Sequence, residues 1–192
     1  MAPMRNIVAF AVCLGVSPLC HAQTPASGDP SENLGVADYT ASGELAFPDN
    51  VDEWIHLGSA IGHGYSALAF TAADPGTIHV VLMEPSAYRY FLEHKRYADG
   101  TMLLLSFYGT QAAPQPELNG FTQANLLARE IHVIDRRRFE DQRGFFLFAP
   151  DAQASPMVPA GNECVTCHAE HGQFDSTFTQ FYPVIRDLIP PQ

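Results

Sequence analysis

The sequence predicts an α+β fold, a mainly antiparallel β-sheet with a few short helices. Three observations carry this. Helix and strand signals come in the order helix, strand, helix, then several strands. The strand runs are short, rich in β-branched or aromatic residues, and bounded by turn residues. One of them, residues 101–108, is apolar on both faces through Met102, Leu103, Leu104, Leu105 and Phe107. Such a strand belongs at the centre of a sheet or against a bound group.

In chain order, residues 1–22 carry the marks of a secretory signal peptide. Arg5 is a short positive region, and residues 7–16 are an apolar run too short for a stable bilayer anchor. Cys20-His21-Ala22 ends in a small residue, so cleavage is expected after Ala22. Pro18 and Leu19, ahead of Cys20, do not favour a lipoprotein. No other stretch is long and apolar enough to cross a membrane. Residues 23–45 are expected to form a flexible leader, rich in Ala, Pro, Gly, Ser and Asp as far as about Asp38. Residues 46–192 then form one domain.

Asn50 and Glu53 have capping-box spacing, and Val51, Trp54 and Ile55 form an apolar stripe, which predicts a helix here. Residues 58–64 are expected to end it in a flexible segment. Residues 77–83 read as a strand through Ile78, Val80 and Val81. Glu84-Pro85-Ser86 opens a second helix, with Pro85 in its first turn and Tyr88, Phe91 and Leu92 on its apolar face. Asp99-Gly100 turns the chain into the strand from Thr101. Residues 112–120, with Pro114 and Pro116, form a loop. Residues 126–134 read as a strand whose first half could be helical. Asp135 and Arg136 to Arg138 turn the chain into a strand over 144–149, carrying Phe145, Phe146 and Phe148. Residues 150–161 form a loop. Asp175 is placed to cap a last helix with Phe178, Phe181 and Tyr182, and Pro183 interrupts or ends it.

Between these elements lies Cys164-Val165-Thr166-Cys167-His168, on a short helix. Cys-x-x-Cys-His is the attachment signature of a c-type haem. Each thiol can add across one haem vinyl group to form a thioether, and two intervening residues set both sulfurs near one side of a helical turn. His168 can then turn its imidazole onto the iron as proximal ligand. A redox-active dithiol is one alternative, but it would open a helix in a βαβ context, and none is visible. Zinc is another, but it would need two more soft ligands, and no second Cys pair follows the signal peptide. Chance is the third. Cys13 and Cys20 leave with the signal peptide, so Cys164 and Cys167 are the only thiols left and no disulfide framework exists. Covalent haem attachment takes place outside the bacterial cytoplasm. Motif and signal peptide therefore point independently to the periplasm.

The whole chain has a formal net charge of −11, and losing Arg5 makes it −12. Such a surface repels nucleic acid and anionic lipid, and it can favour a basic redox partner. Solubility alone also accounts for it.

Several short stretches succeed one another from about Ala46 to Pro183. They are Phe47-Pro48-Asp49-Asn50 with Trp54, Met83-Glu84-Pro85 with Tyr88, and Asp99-Gly100-Thr101. Asp135, Arg138-Phe139, the haem motif and Phe178-Thr179-Gln180-Phe181-Tyr182-Pro183 continue the series. In this order and spacing they resemble the cytochrome P-460 family. The order of elements is unlike small helical cytochromes c and four-helix cytochromes c′.

The resemblance implies a β-rich fold, usually homodimeric, around one covalent haem, with His168 proximal and the distal face open. It implies one of two activities. Members with a lysine cross-linked to a porphyrin meso carbon oxidise hydroxylamine. The cytochromes c′-beta lack that cross-link, have an apolar distal pocket, and bind nitric oxide or carbon monoxide. In cross-linking members the lysine lies on the strand just after Asp-Gly-Thr. Here Leu105 stands at that position, and Lys95, the one lysine of the sequence, precedes the turn and reads as a surface residue. The resemblance is therefore closest to the c′-beta kind.

Period-two alternation puts Thr101, Leu103, Leu105 and Phe107 on one strand face. If Leu105 faces the haem, Leu103 and Phe107 flank it in an apolar distal wall, with no proton relay and no anchor for a charged substrate. Otherwise these side chains fill a sheet core. His79 and His132 lie on strands and either could approach the haem, whereas His63 falls in a flexible segment and His171 just after the haem helix. Met83, Met102 and Met157 are possible thioether ligands. Met102 lies on the face opposite Leu105, and Met157 lies too near the proximal side.

The favoured function is thus a periplasmic mono-haem c-type cytochrome whose five-coordinate iron binds a small gas, for nitric oxide binding or detoxification. One alternative is an enzyme oxidising hydroxylamine or reducing nitric oxide. The other is an electron-transfer cytochrome, which needs a sixth ligand that the sequence does not name.

Overall fold

The computed structural model describes residues 33–62, 75–113 and 120–189. Among them, β1 (Leu45–Ala46) pairs with β7 (Ala154–Ser155) as a small ribbon. The main sheet is five-stranded and antiparallel, and its strands neighbour one another in sequence order. They are β2 (Ile55–Ile61), β3 (Ile78–Met83), β4 (Thr101–Ala112), β5 (Phe121–Ile134) and β6 (Arg143–Phe148). Helix α1 (Pro85–His94) joins β3 to β4, and α2 (Glu163–His171) comes after β7. This is the α+β, mainly antiparallel architecture that the sequence predicts.

Strand β4 lies at the centre, as its two apolar faces require. Alternation sends Met102 and Leu104 to one side, where they pack with Trp54, Ile131, Val133, Phe146 and Phe148. Leu103 goes to the other side, with Leu57, Val81, Met83, Phe91 and Ile185, and Leu105 packs against that cluster. A one-residue slip would exchange the two sides. Each fully buried side chain of this kind contributes roughly 1.5–3 kcal/mol, so the register is firmly held.

Helix α1 begins where Pro85 fits the first turn and the Glu84 carboxylate accepts the Ala87 N–H at 2.8 Å. It ends at Lys95, which takes the left-handed conformation (φ 56°) and donates its N–H to the Phe91 carbonyl. Phe91 is fully buried and Tyr88 packs against the same cluster, but Leu92 faces outward.

Four expectations are corrected. The helix expected after Asn50 is a single 3-10 turn over Val51–Glu53, and Asn50 makes no side-chain cap. Its Oδ1 instead accepts the Trp54 indole N–H at 3.3 Å. Leu57 is needed in the core and Trp54 on the opposite side, so the chain extends into β2, and Gly58 to Ile61 belong to that strand. The leader expected over 23–45 is packed from Asn33 onward. Asn33 bridges to Asp99, Val36, Ala37 and Tyr39 cover the sheet, and Leu45 is completely buried.

Asp175 caps no helix. It and Ser176 both have positive φ, at 46° and 55°. Beyond them the chain forms a 3-10 turn over Thr179–Phe181 and another over Arg186–Leu188. The strand expected over 126–134 is present, and β5 begins earlier, at Phe121. Residues 1–32, His63, Gly64 and the middle of the 112–120 loop lie outside the described residues.

Candidate functional site

A cavity of about 460 Å³ opens on the Leu103–Leu105 side of the sheet. Strand β2 lines it with Gly58, Ser59 and Ala60, β3 with His79 and Val81, and β4 with Leu103 and Leu105. From β5 come Glu130 and His132, and the opposite side is Cys167 and His168 of α2 with Phe178, Phe181 and Tyr182. Its volume is in the range of small-ligand and cofactor sites.

Helix α2 presents Cys167 and His168 to this cavity, with Cys164 outside its lining, because of where the helix starts. Asn162 is the N-cap, its Oδ1 accepting the Cys164 N–H at 2.9 Å. Cys164 and Cys167, three residues apart, then fall on neighbouring positions of one helix face. Both thiols are free and half-buried, and burial, with the nearby Glu130, pushes the Cys164 thiol up. Among the described residues no three His, Cys, Asp or Glu side chains converge as a metal site.

His168 is the best-oriented group in the site. Its Nδ1–H donates to the Ser176 carbonyl at 2.8 Å. A carbonyl can only accept, so this bond fixes the tautomer and leaves the Nε2 lone pair free. Rings of Phe145 and Phe178 pack around the imidazole at 4.7 and 4.6 Å. Burial lowers its pKa, against the raising effect of the Ser176 bond, so it is neutral near pH 7.

Glu130 Oε1 lies 3.7 Å from His168 Nε2. Burial pushes this carboxyl up to about 7, so the contact is no ordinary ion pair. Glu130 is the cross-strand neighbour of Leu105, and His132 that of Leu103. His132 stacks on Phe145 at 4.2 Å, and burial keeps it neutral. Its Nε2 is buried and has no hydrogen-bond partner among the described residues.

Leu103 and Leu105 line the cavity. Phe107 is outside the lining and packs edge-on against His79, which is within it. Thr101 is fully buried at the start of β4. The expectation of a wall without a proton-bearing group is corrected: Glu130 belongs to that wall. Lys95 is at the end of α1, its ammonium on the Leu92 carbonyl, and is not in the lining. Met83 is wholly buried, Met102 faces the opposite core, and Met157 is 48 % exposed. His171 is exposed at the end of α2. Glu130, Ser176 and Tyr182 are site residues that the sequence reading missed.

The family model for Cytochrome P460 matches residues 48–179, more than two thirds of the chain. The chain belongs to the cytochrome P460 family. No curated protein matches it. Membership in the cytochrome P460 family implies a haem, and the cavity fits one in three respects. The His168 Nε2 lone pair is free beside it, the unpartnered His132 Nε2 calls for a polar group within it, and Val81, Leu103, Leu105, Phe178 and Phe181 give it apolar walls. In this cytochrome P460 family member, His168 Nε2 would be available to a haem iron, and the free thiols of Cys164 and Cys167 to the ring.

Proposed function

We propose that this protein is an exported c-type cytochrome with one haem joined to Cys164 and Cys167, which binds nitric oxide or a similarly small neutral ligand. The observation that carries the reading is the orientation of His168. Its Nδ1–H is committed to Ser176, and its Nε2 faces a cavity that β4 lines with Leu103 and Leu105. A haem bound there supplies an iron with one coordination position open to a small ligand. The chain does the rest. His168 would hold the iron, the two thiols would anchor the ring, and the leucines would keep water out of the cavity. The reading includes export through residues 1–22 and assembly as a homodimer.

The test is an absorption spectrum of the ferrous protein with and without carbon monoxide, joined to intact-mass measurement. A five-coordinate spectrum that changes with carbon monoxide, and a mass of the processed chain plus one haem, are expected. A haem peptide joined to a third segment, above all one containing Lys95, would overturn it.

Glu130 favours a second reading, an enzyme that oxidises hydroxylamine or reduces nitric oxide. Both conversions move protons, and Glu130 places a buried carboxyl on the wall beside Leu105. Turnover of either substrate by the purified protein separates this reading from simple binding.

A further inference from the structure

The carbonyl that orients His168 belongs to an unusual turn. Phe174 and Thr177 bond to each other in both directions, Thr177 N–H to Phe174 O at 2.9 Å and Phe174 N–H to Thr177 O at 3.4 Å. The two residues between them, Asp175 and Ser176, both have positive φ. A two-residue turn of this kind favours Asn-Gly, and here neither position is glycine. The conformation is therefore held from outside.

Two contacts do this. Arg136 places Nη2 3.1 Å from Asp175 Oδ2, and its Nη1 3.1 Å from Asp99 Oδ1 and 3.2 Å from the Tyr97 carbonyl. One guanidinium thus ties the turn to the segment leading into β4. Gly172, one turn after His168, makes the second contact. A Cβ there would lie 2.5 Å from both the His168 carbonyl oxygen and the Ser176 carbonyl carbon. Its φ of −68° is open to any residue, so space alone excludes a side chain. The Ser176 backbone rests on that bare Cα. The Thr177 hydroxyl, donating to the Phe174 carbonyl at 2.7 Å, closes the turn.

We infer that Arg136 and Gly172 are positioning residues for the His168 imidazole: together they hold the Asp175-Ser176 turn so that the Ser176 carbonyl accepts the hydrogen bond from Nδ1–H and sets the direction of Nε2. The inference rests on the reading of His168 as iron ligand. An outer partner of a ligating histidine fixes its ring and raises its basicity. Losing the Ser176 bond therefore weakens the iron–histidine bond and favours the reduced iron.

The variants are Arg136→Ala, Gly172→Ala and Asp175→Asn, each made in the haem-loaded protein. Asp175→Asn removes the ion pair while keeping a side chain that tolerates positive φ, so it folds even if the crowded Gly172→Ala does not. The readouts are the iron–histidine stretching band in resonance Raman and the midpoint potential. A lower band frequency and a higher potential are expected in every folded variant, with a smaller change in Arg136→Lys. An unchanged band and potential in Asp175→Asn and Arg136→Ala overturn the positioning role. A wild-type protein with no iron–histidine band overturns the ligand assignment, and the positioning role with it.

Discussion

Cys164, Cys167 and His168 sit within five residues on one helix, so the motif itself depends only on local spacing, while the orientation of His168 depends on the Asp175-Ser176 turn. Replacing either cysteine with Ala should impair covalent haem retention, and replacing both should abolish it. Haem staining after denaturing electrophoresis reads this directly, and haem that still runs with the double variant is the contrary result. These three residues were legible in the sequence because the motif is contiguous. Glu130 was not, because its place depends on β5 lying against β4 in one register, interrupted by a bulge near Phe107 and Tyr108. A lone acid two residues before His132 in an apolar strand was the one signal available. Glu130→Gln keeps the shape and removes the acid. It should leave carbon monoxide binding intact while lowering any hydroxylamine turnover about a hundredfold or more, the usual scale of general acid–base catalysis. Turnover equal to wild type would take Glu130 out of the chemistry.

Where the elements were misread, a local signal met a stronger demand from packing. The Asn50–Glu53 spacing is a fair capping box, yet Trp54 and Leu57 are needed on opposite sides of one sheet, and only an extended chain provides that. The strands β3 and β4 and helix α1 were legible because their patterns agree with their burial. Gly58 explains why β2 tolerates glycine in mid-strand. A Cβ there would meet Pro183 Cδ at 2.9 Å and the Phe181 carbonyl at 3.1 Å, so the segment carrying Phe178, Phe181 and Tyr182 lies directly on the strand. Gly58→Ala should destabilise the protein by about 1–3 kcal/mol, the scale of overpacking. Chemical denaturation measures it, and an unchanged midpoint would mean that the segment moves aside at no cost.

At the scale of the whole molecule, the N-terminal segment closes the far side of the sheet, and Tyr39 is one of its attachments. Arg138 lies 3.3 Å above the Tyr39 ring, which also packs against Phe146. Burial pushes the Tyr39 phenol up to about 12, with Arg138 opposing the rise and Asp135 adding to it. The folded pKa exceeds the unfolded one, so the folded state keeps this proton longer. That contribution to stability is complete below pH 10 and is lost as pH climbs through 12. Ultraviolet titration of wild type against Tyr39→Phe should show one missing phenol transition near pH 12, and a missing transition at pH 10 would contradict the packing of this segment. The doubly buried central strand has a consequence for descent. On one side of β4 Met102 and Leu104 pack into a closed core, whereas on the other Leu103 and Leu105 line the cavity. Lineages that inherit this backbone can exchange the residues of one panel, trading inert hydrocarbon for an acid or an amine, while the reverse panel preserves the scaffold. Divergence in reactivity among descendants then needs few substitutions and no new fold.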